Sequence, residues 1–391
     1  MRATDVTDDT SPKTTRVTVN ERVLEWAVDR SGMEEASLER RIPALRHWRA
    51  GDRQPTVRQL EAFAKATHTP LGFLFLAHPP VERLPIPYYR TAGPARTLRP
   101  SAGLVETVLH MQQRQAWMRE YLSDVGWRPL PFVGSAAGKS TSAVAKDIRD
   151  RIGLPTGWAS KLPTWTDALA RLRTLVENSG ILIVSNGVVG NNTNWKLDPS
   201  EFRGFVLVDE IAPLVFVNSA DARAAQMFTL AHELAHVWLG SSAAFDLRRL
   251  SASADATEQT CDRIAAELLV SEREIRAEWP NSARQPVEER VRAMARHFKV
   301  SELVIARRAR DLTLMTPDQF AEFYTNYMTH ERTHRASGGG DFYANQNNRV
   351  GQRFARTVMQ AVREGKLLYT EAYRLTDLRG RAFEEYLSRL V

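Results

Sequence analysis

The sequence predicts an α+β protein that is mostly helical, with one small antiparallel sheet and a separate helical domain near the N-terminus. Apolar residues recur at helical spacing through most of the chain, whereas three short β-rich runs, at 181–184, 204–208 and 214–217, lie together between helices. Six prolines between residues 79 and 103 remove backbone donors and interrupt any helix, so they indicate a linker between domains.

Composition limits the class of protein. The chain has 391 residues, of which 43% are hydrophobic and 25% charged, enough for two or three separately cored domains. Its net charge of +7 favours an acidic partner such as nucleic acid without requiring one. The single cysteine, Cys261, excludes a disulfide framework and a multi-cysteine zinc site, and is typical of a reducing compartment such as the cytoplasm. No run approaches the roughly 18 apolar residues of a membrane helix, so we expect no membrane association.

The predicted domains follow these changes in composition. In chain order they are a disordered tail at 1–18, a helical domain at 19–78, a proline-rich linker at 79–103, a larger domain at 104–335 and a helical C-terminal appendage at 341–391. In the first helical domain, Gly32 ends one helix and Thr56 caps another. In the larger domain, the helix predicted at 222–239 is apolar nearly all round and ends at Gly240, so it must be buried. Other helices are predicted at 104–122, 144–152, 166–178, 258–269, 287–298, 301–312, 351–363 and 370–390.

The buried helix carries the pattern His-Glu-x-x-His at His232, Glu233 and His236. Imidazoles four residues apart share one helix face with Cβ atoms roughly 5–6 Å apart, so both can bind one ion, and this arrangement suits zinc. Glu233 projects toward the same cavity. It can accept a proton from water whose pKa the ion lowers to about 7. The competing interpretation is a buried helix whose histidines only find hydrogen-bond partners.

A second match to the same pattern occurs at His330, Glu331 and His334. Here the neighbouring positions are Arg332, Thr333 and Arg335, and glycines follow. A cation beside the ligands repels a metal ion, and a solvated loop cannot hold two imidazoles rigidly. We therefore predict a polar surface turn without metal at this second copy.

A catalytic zinc needs a third protein ligand and an open position. The downstream candidates are Asp255, Glu258, Cys261, Asp262 and Glu267. Glu258 heads the apolar stripe of the helix at 258–269 and is the favoured ligand, whereas Glu267 falls off that stripe. Asp262 shares the face of Glu258 and suits a supporting role that holds a ligand histidine. Alternatively, Glu258 is an ordinary acidic residue at a helix N-terminus.

The motifs, taken in order, resemble the ImmA/IrrE family of bacterial metallo-endopeptidases. The resemblance runs through Gly204-Phe-Val-Leu-Val, Pro213-Leu-Val-Phe-Val-Asn218, Gln226-Met-Phe-Thr-Leu-Ala-His-Glu-Leu-Ala-His and Glu258-Gln-Thr-Cys-Asp-Arg-Ile-Ala-Ala-Glu-Leu-Leu. It implies a zincin-like metalloprotease domain in which His232, His236 and Glu258 bind zinc and Glu233 is the general base. The chain has Cys261 and Asp262 where the family has Ala-Asn. No ligand is lost, but a thiol so close to the ligands is open to redox inactivation.

The N-terminal helices resemble the Cro/repressor type of helix-turn-helix domain. Their arginines outnumber the single acid Asp52 in this stretch and could bind phosphates; they are Arg40, Arg41, Arg46, Arg49, Arg53 and Arg58. However, Pro43 and the short spacing between Ile42 and Trp48 leave no room for a full recognition helix. The alternative is a helical module that docks on a protein partner.

The resemblance implies a zinc endopeptidase that cleaves a regulatory protein, with a DNA-bound repressor as the substrate, in a bacterial stress, phage or toxin–antitoxin response. The segments beginning at Gly351 and Glu371 resemble parts of family members found beside toxin genes, which implies a toxin as a further partner. The competing hypothesis is a non-catalytic DNA-binding regulator or antitoxin that uses the protease fold as a scaffold.

Overall fold

The computed structural model describes residues 15–82, 100–241, 243–245, 256–279, 285–330 and 342–390. Among these, 15–82 and 100–105 form one compact unit, and the described residues from 106 onward form a second. Most of the predicted linker at 79–103 and residues 1–14 of the predicted tail at 1–18 lie outside the described residues. No described helix is long and apolar enough to cross a membrane.

The first unit is a small helical domain. Its elements are α1 (Glu21–Ser31), α2 (Glu35–Arg41), α3 (Leu45–Arg49), α4 (Val57–Ala66) and a 3₁₀ helix (Leu71–Phe75). Asn20 caps α1 through the backbone N–H of Arg22, and α1 ends at Gly32 with a φ of 62°, a left-handed conformation that glycine adopts at little cost. Thr56 and Gln59 form a capping box at the start of α4. Leu24, Trp48 and Phe63 pack in the core of this unit.

The second unit combines helices with a mixed sheet. Its first helices are α5 (Ala102–Asp124, which starts in the first unit), α6 (Thr141–Ile152) and α7 (Trp165–Asn178). The strands are β1 (Leu182–Asn186), β2 (Val188–Val189), β3 (Asn192–Lys196), β4 (Gly204–Leu207), β5 (Leu214–Asn218) and β6 (Ala243–Phe245). Strands β2 and β3 form a separate antiparallel hairpin, and the main sheet has the order β1-β5-β4-β6.

The main sheet differs from the predicted antiparallel sheet at one strand. β4 pairs antiparallel with β5 and with β6, but β1 pairs in parallel with β5. Parallel neighbours need a long connection. The chain between β1 and β5 provides one, because it forms the β2–β3 hairpin and β4 before it returns beside β1. Strands β1, β4 and β5 are wholly buried, which is why they appear in the sequence as continuous apolar runs.

Helix α8 (Arg223–Leu239) is the central element of the second unit. Every residue from Gln226 to Trp238 is buried, as the apolar sequence predicts. It packs against β4, β5, α6, α7 and α9 (Ala256–Leu269). Fully burying a leucine or valine contributes about 1.5–3 kcal/mol, so this apolar surface holds the helix firmly in place. Gly240 ends α8 with a φ of 75°.

The remaining helices surround this centre. They are α10 (Glu272–Glu278), α11 (Val287–Phe298), α12 (Glu302–Asp311), α13 (Pro317–His330), α14 (Phe342–Val350), α15 (Gln352–Arg363), α16 (Tyr369–Thr376) and α17 (Gly380–Ser388). Both α14 and α15 pack against β1, and α15 also packs against α7. The segment predicted as an appendage thus lies in the same compact unit as the sheet.

Candidate metal centre

The two imidazoles of the first His-Glu-x-x-His motif lie side by side on α8. His232 and His236 are one helical turn apart, and only 0% and 1% of their surface is exposed. Their ring centroids are 5.0 Å apart and their Nε2 atoms 3.2 Å apart. Because α8 is buried on all sides, neither ring can turn toward solvent.

Glu258 approaches both imidazoles from α9. Its Oε2 lies 3.2 Å from Nε2 of His232, and its Oε1 lies 3.2 Å from Nε2 of His236. The rotation of α9 that brings this carboxylate inward is set by its packing against α8 and α6. The buried positions of α9 recur every three or four residues and are Glu258, Cys261, Ile264, Ala265, Leu268 and Leu269.

Two further side chains orient the imidazoles from behind. Oδ1 of Asp262 lies 2.9 Å from Nδ1 of His232, and Oγ of Ser241 lies 3.1 Å from Nδ1 of His236. A carboxylate can only accept, so Nδ1 of His232 donates to Asp262. In the neutral ring this leaves a lone pair on Nε2, directed toward His236 and Glu258.

This donor set fits a zinc ion. In a tetrahedral site with bonds of about 2.0–2.1 Å to nitrogen and oxygen, neighbouring ligand atoms are about 3.3–3.4 Å apart. The two imidazole nitrogens are 3.2 Å from each other, and each is 3.2 Å from an oxygen of Glu258. Lone pairs that converge this closely repel one another, and a divalent cation removes that repulsion.

The charges of these groups are strongly coupled. Burial lowers the pKa of His232, but the hydrogen bonds to Asp262 and Glu258 outweigh burial and raise that pKa to about 10. Burial alone would raise the pKa of Glu258, yet its hydrogen bonds to the two histidines hold it at about 2. Burial lowers the pKa of His236. The carboxylates therefore favour a positive charge in this pocket, which a divalent ion supplies.

Glu233 lies in the same pocket but makes no such contacts. It is 0% exposed, and neither carboxylate oxygen has a hydrogen-bond partner among the described residues. Burial raises its pKa well above the usual value. Gly204 of β4 leaves room for this side chain, since a Cβ there would lie 3.1 Å from Oε1 of Glu233.

Cys261 belongs to the same cluster. It is fully buried, and its sulfur and one ring nitrogen of each of His232 and His236 lie within 4.8 Å of one another. These three residues form a group able to hold a metal ion. The sequence favours Glu258 over Cys261 as the third ligand, because Glu258 heads the apolar stripe of α9. The structure brings both side chains to the imidazoles, one turn apart on α9, a closeness that the stripe itself could have indicated.

The region around the metal centre is similar to a known protein family. A family model described as the IrrE N-terminal-like domain, of peptidase family M78, matches residues 177–310. Residues 177–310 are thus similar to an IrrE N-terminal-like domain. The IrrE-like region includes α8 and α9, and therefore His232, Glu233, His236, Glu258 and Asp262. A second model, described as a domain of unknown function (DUF8813), matches residues 350–389, which span α15 to α17. No curated protein and no solved structure matches the chain.

The other predicted site residues lie elsewhere. The six arginines of the first unit are on or next to α2, α3 and α4; five are exposed, and Arg49 is half-buried and ion-paired with Glu35. α3 has only five residues, and the comparisons give no support for a helix-turn-helix domain or for DNA binding. In the second motif copy, His330 is the last residue of α13, while Glu331 and His334 lie outside the described residues.

Proposed function

We propose that this protein is a zinc-dependent endopeptidase in which His232, His236 and Glu258 hold the metal and Glu233 is the general base. The observation that carries the proposal is the convergence of two buried imidazoles and a carboxylate, at 3.2 Å separations, beside a second carboxylate without a hydrogen-bond partner in the described chain. The match to the IrrE N-terminal-like domain supports it.

Each protein group has a distinct task in this proposal. Zinc, when bound, acidifies water and polarises the scissile carbonyl. Asp262 and Ser241 hold the ring planes of His232 and His236, so the ligand nitrogens are fixed before the metal arrives. The apolar residues around α8 exclude bulk water from this pocket, which strengthens the electrostatic interactions inside it.

Glu233 moves the proton. Its carboxylate accepts a proton from the attacking water and passes it to the nitrogen of the leaving amine. No described residue competes for its oxygens, and burial raises its pKa well above the usual value of a carboxyl group, which makes the carboxylate a stronger base. Because Glu233 follows His232 directly on a rigid helix, its distance from the metal position is fixed.

We further propose that the substrate is a regulatory protein, namely a DNA-binding repressor, in a stress, phage or toxin–antitoxin response, with a toxin as a further partner and the cytoplasm as the location. This part rests on the resemblance to the ImmA/IrrE family.

Phosphate binding by the exposed arginines of the first unit remains a prediction. The rival hypothesis is that the protein acts as a non-catalytic scaffold, and it differs in one respect: it does not need Glu233.

Glu233→Gln separates the two hypotheses. Glutamine keeps the size of the side chain but cannot accept the proton, so cleavage of a repressor encoded beside this gene should fall by about 10²–10⁴ while zinc content stays at the wild-type level. Glu289→Gln, at an exposed position of α11, is the matched control and should cleave normally. If Glu233→Gln cleaves at the wild-type rate, or supports the full regulatory phenotype in cells while it holds zinc, the catalytic proposal is wrong.

A further inference from the structure

Cys261 is one donor more than a catalytic zinc site requires. Two imidazoles and Glu258 are three protein ligands, and a catalytic zinc leaves its fourth position to water. Yet the sulfur of Cys261 lies within 4.8 Å of a ring nitrogen of both histidines. The sulfur of Cys261 is therefore close enough to be a fourth protein ligand.

The helix gives this thiol no alternative environment. Cys261 lies three residues after Glu258, and residues three apart share one face of a helix, so both side chains of α9 face α8. No part of Cys261 is exposed. It has a single side-chain torsion, so it cannot leave the neighbourhood of the imidazoles unless α9 moves.

An independent observation shows that this pocket calls for a cation. Both oxygens of Glu233 are buried without a hydrogen-bond partner among the described residues. Buried acceptors without donors destabilise the folded protein unless a cation satisfies them. A metal ion held here is therefore within reach of the sulfur as well as of Glu258.

The chemistry of zinc determines the consequence. A thiolate is a strong zinc ligand, and a complete set of four protein ligands is typical of zinc sites without catalytic turnover. We propose that Cys261, as the thiolate, binds the metal of this centre and occupies the position that water needs. On binding, the S–H bond breaks, a sulfur–metal bond forms and the proton passes to solvent. With Cys261 bound to the metal, the enzyme thus rests in a closed form with low turnover. This inference rests on the proposed function, because it describes how that activity is restrained.

Cobalt(II) bound in place of zinc tests the ligand directly. A thiolate ligand gives a sulfur-to-cobalt charge-transfer band in the near ultraviolet. Since the chain has one cysteine, that band can come only from Cys261. We expect the band in the wild type and in Glu258→Ala, and its loss in Cys261→Ala and Cys261→Ser. X-ray absorption of the zinc form, which needs no substitution, should show a sulfur neighbour at about 2.3 Å.

Zinc affinity and cleavage rate test whether Cys261 keeps water from the metal. Cys261→Ala should bind zinc at least about tenfold more weakly than the wild type and should cleave substrate faster. The inference is wrong if the wild-type protein shows neither the cobalt band nor a sulfur neighbour of zinc. The proposed function still holds in that case if cleavage depends on Glu233. A cobalt band together with unchanged turnover in Cys261→Ala overturns the closing role. Sulfur ligation with no cleavage in either protein instead contradicts the proposed function.

Discussion

Asp262 and Glu258 contact opposite nitrogens of the same imidazole. Oδ1 of Asp262 lies 2.9 Å from Nδ1 of His232, and Oε2 of Glu258 lies 3.2 Å from Nε2 of that ring. Both acids lie on α9, one turn apart. The position of α9 therefore sets the plane of the ring and the direction of its lone pair, and α8 and α9 make the centre together.

Asp262→Ala should weaken zinc binding by about 10- to 100-fold. The ring of His232 would lose the hydrogen bond that orients it and the nearby carboxylate that makes its Nε2 a stronger metal ligand. Competition with a chromophoric chelator measures this affinity. The matched control is Glu289→Ala, which alters an exposed acid of α11. Equal zinc affinities in the two variants would show that Asp262 does not support the ligand.

The two His-Glu-x-x-His copies should differ in metal content. We expect about one zinc per wild-type chain and the same in His330→Ala, but loss of the metal in His232→Ala, because only the first copy lies in a buried helix beside an acid from a second helix. Elemental analysis of the purified proteins measures the metal. Equal loss in both variants, or none in either, would mean that the wrong copy has been chosen.

Gly204 should tolerate no side chain, because β4 approaches α8 closely at this point. A Cβ there would lie 2.6 Å from Cγ2 of Thr229 and 2.8 Å from the carbonyl oxygen of Phe216, so Gly204→Ala should lower the free energy of unfolding by about 1–3 kcal/mol. Gly72→Ala is the control, because nothing lies within 4 Å of a Cβ at that position.

Adding Thr229→Ser to Gly204→Ala should recover part of the lost stability. Serine lacks the methyl carbon that clashes, while the carbonyl of Phe216 stays where it is. Chemical denaturation measures all four proteins. Equal unfolding midpoints for Gly204→Ala and Gly72→Ala would show that β4 can move away from α8.

The sequence predicts α8 and α9 well because their signal is local. Apolar residues surround His232 and His236 on every side, and the stripe of α9 places Glu258 on the buried face. The pairing of segments that are distant in the chain leaves no such local pattern in the sequence. The parallel contact of β1 with β5 and the packing of α14 on β1 depend on which surfaces remain to be covered once the chain has folded.

Local backbone conformation explains another difference. The sequence predicts one helix at 370–390, but the chain forms α16 and α17 with a break between them. Asp377 has a φ of 57°, and a residue in this left-handed conformation ends a helix. Nothing in the apolar periodicity marks this break. The carboxylate of Asp377 instead faces Arg114 and His110 of α5, contacts that no local pattern reveals.

His110 should make the stability of the second unit depend on pH. Its Nδ1 lies 3.4 Å from Oδ2 of Asp377 and its Nε2 lies 3.3 Å from the carbonyl oxygen of Arg374. Burial, together with the nearby Arg114, lowers the pKa of His110 to about 4 in spite of Asp377. In the unfolded chain the same ring titrates near its ordinary value of about 6.5.

Between these two pKa values the unfolded chain binds a proton that the folded chain does not, so the free energy of unfolding should fall as the pH falls from about 6.5 toward 4. One pKa unit corresponds to about 1.4 kcal/mol, so the contribution of His110 is at most about 3.5 kcal/mol. His110→Gln should remove this part of the pH dependence, whereas His297→Gln on α11 should keep it. Chemical denaturation at a series of pH values from 7 to 4.5 measures the difference in the free energy of unfolding between wild type and each variant. A chelator is added throughout, because metal binding releases protons and would add its own pH dependence. If the difference between wild type and His110→Gln is the same at both ends of that range, His110 titrates alike in the folded and unfolded chains, and burial beside Arg114 does not govern its charge.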